Sequence, residues 1–221
     1  MKKQFIVIGL GRFGSSLTKT LIENGHEVLA IDKDLNLVEE MANIATQALQ
    51  ADCTDESVLQ ELDVRHFNHA VVAIGENLQA SILTTLLLKE MGIPKVTAKA
   101  KNAVHGKVLT KIGVDQIIYP ERDMGVRLGK QLSSDNLIDY IELSPYYNLV
   151  EMKAPSAMDG RTLAQLNIPT NYGCTIMAIK NNIDINVSPK AEDTIQAGDI
   201  LLMIGSNEDI RNMEDKYGKK R

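Results

Sequence analysis

The chain has 221 residues, of which 44% are hydrophobic and 24% are charged, and its formal net charge at pH 7 is −5. This balance is typical of a soluble globular protein that is long enough for one large domain or two small ones. The sequence contains no run of about 18 apolar residues, the length that a membrane-spanning helix needs. The apolar run that ends at Gly9 is too short for a signal peptide. We therefore expect a cytoplasmic protein.

Charge and cysteine content argue against two classes of protein. The acidic net charge and the absence of tryptophan disfavour broad nucleic-acid binding, which uses basic surfaces and aromatic stacking platforms. Cys53 and Cys174 are 121 positions apart and lack the spacing of zinc ligands or of a disulfide framework. We expect no nucleic-acid partner, no zinc site and no disulfide.

Short apolar runs recur through the first 120 residues at intervals of 19 to 25 positions. They begin near Gln4, Glu27, Thr46, Ala70, Lys95 and Gln116. Such runs are typical of strands buried on both faces of a parallel sheet. Helix-length segments separate them, and Gly25, Gly92 and Gly113 stand where those helices should end. Thr54 and Asn102 are the expected caps of two helix starts. The pattern predicts a Rossmann-like, doubly wound α/β domain.

The pattern changes after Pro120, where the sequence predicts a second and smaller module. A helix is predicted over 121–132, an extended segment over 137–143 and one short helix over 161–166. Strand-like runs separated by turn signals cover 149–152, 174–179, 183–187 and 200–204. The predicted parts are an α/β domain (1–122), a helical crossover and linker (123–143) and a small α+β, mainly β domain (144–221) with a frayed tail (217–221).

A glycine-rich loop follows the first predicted strand and opens the first helix. It reads Gly9-Leu10-Gly11-Arg12-Phe13-Gly14. In this setting the first glycine permits a tight turn, the second lets the backbone approach a pyrophosphate, and the third packs helix on strand. Asp32, 23 residues after Gly9, is placed to accept hydrogen bonds from ribose hydroxyls. The alternative is a simple tight turn with Asp32 capping the next helix. A P-loop is excluded because Ser15 stands where that motif has lysine.

Further candidate residues come from the loop and from the strand ends, since ligands of open α/β sheets bind beyond the carboxyl ends of the strands. Arg12 would suit the terminal phosphates of ATP or ADP as well as NAD; the alternative is a solvent-exposed arginine. For the strand-end residues the alternative is a helix cap or a solvated charge. The candidate cofactor-binding residues are Gly9, Gly11, Arg12, Phe13, Gly14, Asp32, Lys33, Asp52, Cys53, Ala73, Ile74, Gly75, Glu76, Lys99 and Glu121. Glu121 is also the candidate ligand of a metal cation.

The sequence offers no group suited to catalysis. Its histidines are His26, His66, His69 and His105, all in the first predicted domain. His105 lies on a predicted helix and is expected to be exposed or half-buried. No nucleophile elbow and no HExxH motif is present. A nucleotide-binding domain without an acid or base favours a sensor; the alternative is a small NAD-dependent oxidoreductase with a substrate site between the domains.

Six segments carry a resemblance to a known family. They are IGLGRFG (8–14), VAIGEN (72–77), QASILTTLLLKE (79–90), PERDMG (120–125), YGCTI (172–176) and GDIL (198–201). The first four resemble the N-domain, and the last two the C-domain, of the RCK (KTN) regulators of potassium channels and transporters. The match covers essentially the whole chain, and its single-copy arrangement is similar to the cytosolic subunits of Ktr-type potassium uptake systems.

The resemblance implies a regulatory subunit without enzymatic activity. It implies homodimers assembled into an octameric ring that binds a membrane potassium-translocating subunit, with ATP, ADP or NAD(H) in the N-domain. By this similarity Arg12 meets the terminal phosphates, Asp32 the ribose, and Glu121 a divalent cation near the γ-phosphate. Cyclic di-AMP would bind between paired C-domains, where some members have arginine in place of Pro169 and asparagine in place of Thr175. The positions that match its site are Leu163, Ile168, Thr175, Ile176 and Pro189.

Overall fold

The six strands predicted for the first 120 residues form one parallel sheet. The computed structural model describes residues 2–134 and 136–218, and the chain divides into two compact units between Glu121 and Arg122. The strands of the first unit are β1 (Gln4–Ile8), β2 (Glu27–Asp32), β3 (Gln47–Gln50), β4 (His69–Val72), β5 (Val96–Lys99) and β6 (Gln116–Ile118). Their order is β3-β2-β1-β4-β5-β6, and all pairs are parallel. The order reverses between β1 and β4, the place at which such sheets bind ligands. The predicted Rossmann-like fold is confirmed.

Helices connect these strands. They are α1 (Arg12–Glu23), α2 (Leu35–Met41), α3 (Glu56–Glu61), α4 (Leu78–Glu90) and α5 (Ala103–Ile112), with a 3-10 turn at Val64–His66. Gly25, Gly92 and Gly113 have φ angles of +79°, +78° and +86°. These values are those of left-handed helix ends, which glycine adopts without steric cost. The sequence therefore predicted these three helix ends correctly.

One of the two predicted helix caps is wrong. Asn102 caps α5 as expected, since its Oδ1 accepts a hydrogen bond of 2.9 Å from the His105 N–H. Thr54 does not cap α3, because its hydroxyl donates to Asp52 instead. Asp55 is the cap, and its Oδ1 accepts from the backbone N–H two positions later. The carboxylate next to the helix also suits the positive end of the helix dipole.

The parallel sheet is buried on both faces. Along β1, Ile6 and Ile8 pack into one hydrophobic cluster, whereas Phe5 and Val7 pack into another. Successive side chains of a strand point to opposite faces, so helices must cover both sides of the sheet. This packing leaves the strand ends and their loops at the surface, where a ligand can reach them.

The second unit is mainly β structure, as predicted, and its strands pair in antiparallel fashion. Helix α6 (Pro120–Leu132) begins in the first unit and continues into the second. The following strands are β7 (Leu137–Glu142), β8 (Tyr147–Lys153), β9 (Arg161–Thr162), β10 (Thr175–Lys180), β11 (Ile185–Asn186), β12 (Thr194–Ile195) and β13 (Ile200–Ser206). Five of them form a sheet in the order β11-β10-β13-β8-β7, and β12 pairs with β9. The remaining helices are α7 (Leu163–Leu166), α8 (Ile168–Tyr172) and α9 (Asn207–Gly218), and a 3-10 turn spans Ser156–Met158.

Several details of the second unit differ from the sequence-based expectation. The segment 137–142, expected in the linker, is a strand that pairs with β8. The helix expected over 161–166 begins at Leu163, because Arg161 and Thr162 pair with β12. Helix α9 was not predicted, and the expected frayed tail lies outside the described residues from 219 onward. Within the described ranges, no helix combines the length and apolar composition that crossing a bilayer requires.

Candidate nucleotide-binding site

The glycine-rich loop joins β1 to α1 beside the end of β4. Gly9 has a φ of +96°, and a Cβ built on it would lie 3.0 Å from backbone atoms of Ala73 and Ile74. A Cβ on Gly14 would lie 1.8 Å from the carbonyl oxygen of Gly9. Apart from its chain neighbours, no described residue comes within 4 Å of a Cβ on Gly11. The first and third glycines therefore let the loop close against the sheet, and the second borders open space for a ligand.

The first turn of α1 presents backbone N–H groups to that space. Gly11 is the N-cap residue, and among the described residues no side chain caps the helix. The Ser15 N–H donates to the Gly11 carbonyl oxygen at 2.9 Å. The N–H groups that precede Ser15 have no intrahelical acceptor, and the helix dipole adds positive potential there. This is the arrangement that holds phosphate groups in dinucleotide-binding folds.

Asp32 ties the end of β2 to the glycine-rich loop. Its Oδ2 accepts a hydrogen bond of 2.6 Å from the Leu10 N–H, and its Oδ1 accepts one of 2.9 Å from the Asp34 N–H. Each carboxylate oxygen keeps a further lone-pair direction. Asp34, and not Asp32, caps α2. The carboxylate of Asp32 is thus oriented by two backbone groups and retains acceptor capacity for the hydroxyls of a ribose.

A depression of about 460 Å³ lies at the carboxyl ends of the central strands. The structure brings ten of the fifteen predicted residues together in its lining. They are Gly9, Gly11, Asp32, Lys33, Asp52, Cys53, Ala73, Ile74, Gly75 and Glu76. The volume lies in the range of ligand pockets in proteins. Arg12, Phe13, Gly14, Lys99 and Glu121 are not part of this lining.

Sequence reasoning missed half of the residues in this lining. The missed residues are Ile8, Asp34, Leu37, Ala51, Thr54, Asn77, Gln79, Ala80, Leu83 and Thr84. Most belong to the connections after β2, β3 and β4 or to the first turns of α2 and α4. Asn77 could have been recognised as a helix cap, and its Oδ1 accepts from the Ala80 N–H at 2.9 Å. A helix start next to a strand end places its first turn beside the same ligand site.

The depression is lined by more acidic than basic side chains. Asp32, Asp34, Asp52 and Glu76 face one lysine, Lys33. Hydrogen bonds from Thr54 keep the pKa of Asp52 below its usual value, so this carboxyl stays ionised. Carboxylates suit the donor hydroxyls of a nucleoside, whereas phosphates need the N–H groups of α1 and cations outside the lining. The nucleoside end of a nucleotide would therefore lie among carboxylates, and its phosphate end would lie at the N–H groups of α1.

Two predicted residues supply cationic and aromatic groups in the first turn of α1. Arg12 is exposed and forms no ion pair with the residues that the structure describes. Phe13 follows it and is partly buried. Arg12 therefore provides a guanidinium that is available to an anion, although its side chain does not line the depression.

Lys99 and Glu121 form an ion pair next to the depression. The Lys99 Nζ lies 2.6 Å from the Glu121 Oε1, and this hydrogen bond lowers the pKa of the Glu121 carboxyl. Lys99 ends β5 and Glu121 lies in the first turn of α6. The Lys99 Nζ is also 3.3 Å from the position of a Cβ on Gly75, which lines the depression.

Cys53 lies in the lining without reactive character. Cys53 is 3% exposed, and burial raises the pKa of its thiol to about 12. At neutral pH it is therefore a protonated thiol and not a nucleophile. Its backbone carbonyl accepts a hydrogen bond of 3.2 Å from the Thr84 hydroxyl. Cys53 thus shapes the depression by packing.

The histidines lie outside this depression. His105 was expected to be exposed or half-buried, but it is 3% exposed, because it lies on the buried side of α5 with Gly106 and Leu109. Its Nδ1 accepts from the Lys101 N–H at 3.2 Å, and burial lowers the pKa of its imidazole. His69 bonds the Thr97 hydroxyl at the opposite end of the strands. The lining contains no histidine that could act as a general acid or base.

The five candidate residues for cyclic di-AMP occupy different environments in the second unit. Thr175 is exposed, and Leu163, Ile176 and Pro189 are partly buried. Ile168 is 1% exposed and belongs to the core, so its side chain supports the surface from below. Thr175 and Ile176 are adjacent at the start of β10.

Comparison with known proteins follows the same division into two units. The TrkA-N domain family matches residues 5–120, and the TrkA-C domain family matches residues 149–218. The Bacillus subtilis "Ktr system potassium uptake protein C" is 52% identical over 98% of both chains. The chain belongs to the RCK family of potassium uptake proteins.

One further relative agrees with this assignment, and a solved structure shares the fold. The B. subtilis "Ktr system potassium uptake protein A" is 49% identical over 97% of this chain and 96% of its own. Among solved structures, "GsuK channel bound to NAD" superposes on the whole chain with a TM-score of 0.69 at 16% identity. The chain spans 40% of the length of that protein, so this similarity shows the RCK fold alone. The predicted family and fold are both confirmed.

Proposed function

We propose that this chain is a nucleotide-sensing subunit that regulates potassium uptake and does not consume its nucleotide. The observation that carries the proposal is the pairing of Asp32 with the Leu10 N–H, which joins a ribose acceptor to a glycine-rich phosphate cradle in a Ktr-type chain. A nucleotide with its phosphates at α1 and its ribose at Asp32 fits the depression. ATP and ADP are the proposed ligands, and NAD(H) is a further one.

The absence of a histidine from the lining supports binding without turnover. Hydrogen bonds from Thr54 hold the pKa of the Asp52 carboxyl below its usual value, so this group is not a proton donor at neutral pH. A ligand that is not consumed regulates only if it binds two states of the protein with different affinity. ATP has a γ-phosphate that ADP lacks, and Arg12 and Glu121 are the groups that we assign to sense it.

A divalent cation accompanies ATP in this proposal. Within the described ranges, no group of three or more His, Cys, Asp or Glu side chains is arranged to hold a metal ion. Glu121 offers one carboxylate, which fits a Mg²⁺ held by one or two carboxylates and by phosphate oxygens. The cation would supply positive charge between the γ-phosphate and the first turn of α6.

The partner that we propose is the membrane potassium-translocating subunit of a Ktr system, with this chain on the cytoplasmic side. We further propose homodimers that assemble into an octameric ring. Helix α6 supports contacts between copies, because none of its residues is buried. Its exposed apolar side chains are Met124, Val126, Leu128 and Leu132. Such a surface on a helix of 13 residues favours coverage by another chain.

Cyclic di-AMP is the ligand that we propose for the second unit. Thr175 offers an exposed hydroxyl at the start of β10, and the partly buried Leu163, Ile176 and Pro189 offer apolar surface for a base. Ile168 would act through packing. Titration of the protein with cyclic di-AMP, with Thr175→Ala as the variant, tests this assignment.

Two experiments test the main proposal. Isothermal titration with ATP, ADP and NADH determines which nucleotides bind. Potassium flux in vesicles that contain the membrane partner should then differ between ATP and ADP without following ATP hydrolysis. Equal flux with both nucleotides would contradict sensing, and turnover of NADH at 340 nm with a carbonyl substrate would favour the oxidoreductase alternative.

A further inference from the structure

The Lys99–Glu121 ion pair has two unequal partners. The Lys99 side chain is 12% exposed, whereas the Glu121 side chain is 72% exposed. A buried ammonium needs a partner more than an exposed carboxylate does, since water can solvate only the latter. Lys99 therefore needs an anionic partner, and Glu121 is a partner that another anion can replace.

The ammonium of Lys99 also lies at the wall of the nucleotide depression. Its Nζ would be 3.3 Å, and its Cε 3.6 Å, from a Cβ on Gly75. Gly75 lines the depression and has no side chain, so it places no side-chain atoms between the Lys99 ammonium and the depression. Lys99 lies on β5, two strands from the glycine-rich loop at the end of β1, or about 10 Å across the sheet. A phosphate chain that starts at α1 and runs along the strand ends approaches Lys99 only with its last group.

The neighbouring charges do not offer the same arrangement. Lys101 lies 3.7 Å from Glu76, and both side chains are largely exposed, at 48% and 102%. Lys33 lines the depression between Asp32 and Asp34 in the chain, directly after β2. Among the lysines of the described residues, Lys99 is thus the one that adjoins both the depression and the first turn of α6.

We propose that the third phosphate of bound ATP takes the Lys99 ammonium from Glu121, so that ATP releases Glu121 from Lys99 and ADP does not. Because the chain divides between Glu121 and Arg122, this exchange acts on the last residue of the first unit. Lys99 then joins Arg12 and Glu121 in distinguishing ATP from ADP. The inference rests on the proposed nucleotide binding and adds the regulation of that site.

A double-mutant cycle in EDTA tests this exchange without a divalent cation. ATP and ADP affinities are measured by titration calorimetry for the native protein, Lys99→Gln, Glu121→Gln and the double variant. Glu121→Gln should tighten ATP about three- to fivefold, because the phosphate no longer competes with a carboxylate for the ammonium. In the Lys99→Gln background the same change should have only the general effect of removing one negative charge. ADP affinity should change less than twofold throughout.

Asp123→Asn is the matched control, since it removes the same charge from the same turn of α6. Asp123 pairs with Arg122 at 2.8 Å and not with Lys99. It therefore measures the general effect of one less negative charge, which should not depend on Lys99. Accessibility of Lys99 to an amine-acylating reagent, read by mass spectrometry, is a second measurement. ATP should protect Lys99 in the Glu121→Gln variant, whereas ADP should not.

The results separate this inference from the proposed function. Nucleotide binding with equal effects of Glu121→Gln in both backgrounds, or with an effect no larger than that of Asp123→Asn, would overturn the exchange alone. A native protein that binds neither ATP nor ADP would overturn both proposals.

Discussion

The Gly14 Cα lies so close to the Gly9 carbonyl oxygen that a methyl group on it would come within 1.8 Å of that oxygen. Helix α1 thereby contacts the turn that precedes it, and the phosphate cradle has no room for a side chain at this position. Gly11, in the same loop, borders open space instead. The two glycines should therefore respond differently to the same substitution.

Gly14→Ala should destabilise the protein by about 1–3 kcal/mol, because the loop and α1 must move apart. Gly11→Ala is the matched control, since Gly11 has a φ of −62° that alanine adopts without strain. This control should keep its stability and lose nucleotide affinity. Urea unfolding followed by circular dichroism measures the difference, and equal stabilities of the two variants would contradict the observed contact.

Asp32 should select against a 2′-phosphate. A carboxylate at the ribose repels that group, so we expect NADPH to bind at least about tenfold more weakly than NADH. Asp32→Asn retains an oxygen that can accept from the Leu10 N–H and removes the charge. This variant should narrow the gap between the two cofactors. Competition titrations against ADP measure both ratios, and equal affinities in the native protein would place Asp32 away from the ribose.

Arg12→Ala should weaken ATP and ADP binding several-fold to about a hundredfold, since charge-assisted hydrogen bonds contribute about 1.5–3 kcal/mol. The melting temperature should change little, because Arg12 is exposed and contributes no core packing. Arg65→Ala is the matched control, as its side chain is 73% exposed and lies outside the lining of the depression. Unchanged calorimetric affinity in Arg12→Ala would remove this residue from the site.

His105 should make the first unit sensitive to acid. Burial lowers the pKa of this imidazole below 6.5, and its Nδ1 accepts the Lys101 N–H, which a protonated ring cannot do. The stabilising contribution is therefore complete above pH 6.5 and is lost as the pH falls through the lowered pKa. His105→Asn keeps an acceptor and removes the titration. Between pH 7.5 and 5, its free energy of unfolding should fall less than that of the native protein, with a remaining slope from His69, whose pKa burial also lowers.

The first unit could be predicted from the sequence because each of its elements repeats one physical pattern. Strands buried on both faces read as apolar runs, and Gly25, Gly92 and Gly113 mark the helix ends. The loop glycines and Asp32 could be placed for the same reason, since strand, turn and helix follow in fixed order. The missed half of the lining came from side chains such as Leu37 and Leu83, whose position depends on how α2 and α4 pack.

The second unit was harder to predict because its elements are short. β9, β11 and β12 have two residues each, too few for a periodic pattern. Helix α9 could have been predicted from its start, where the Ser206 hydroxyl donates to Asp209 at 2.6 Å and accepts from the Asp209 N–H at 3.1 Å. It buries Ile210 and Met213 against the sheet. Thr54 was wrongly chosen over Asp55 because both are common cap residues, and only the contact with Asp52 distinguishes them.

The phosphate cradle consists of main-chain N–H groups, which every residue except proline carries. During evolution the cradle therefore depends less on particular functional groups than on the absence of a side chain at Gly9 and Gly14. One nucleotide change in the Gly14 codon is enough to add a methyl group that the Gly9 carbonyl cannot accommodate. That one mutation would then move the loop away from α1 and widen the phosphate cradle, with every charged residue of the site still in place.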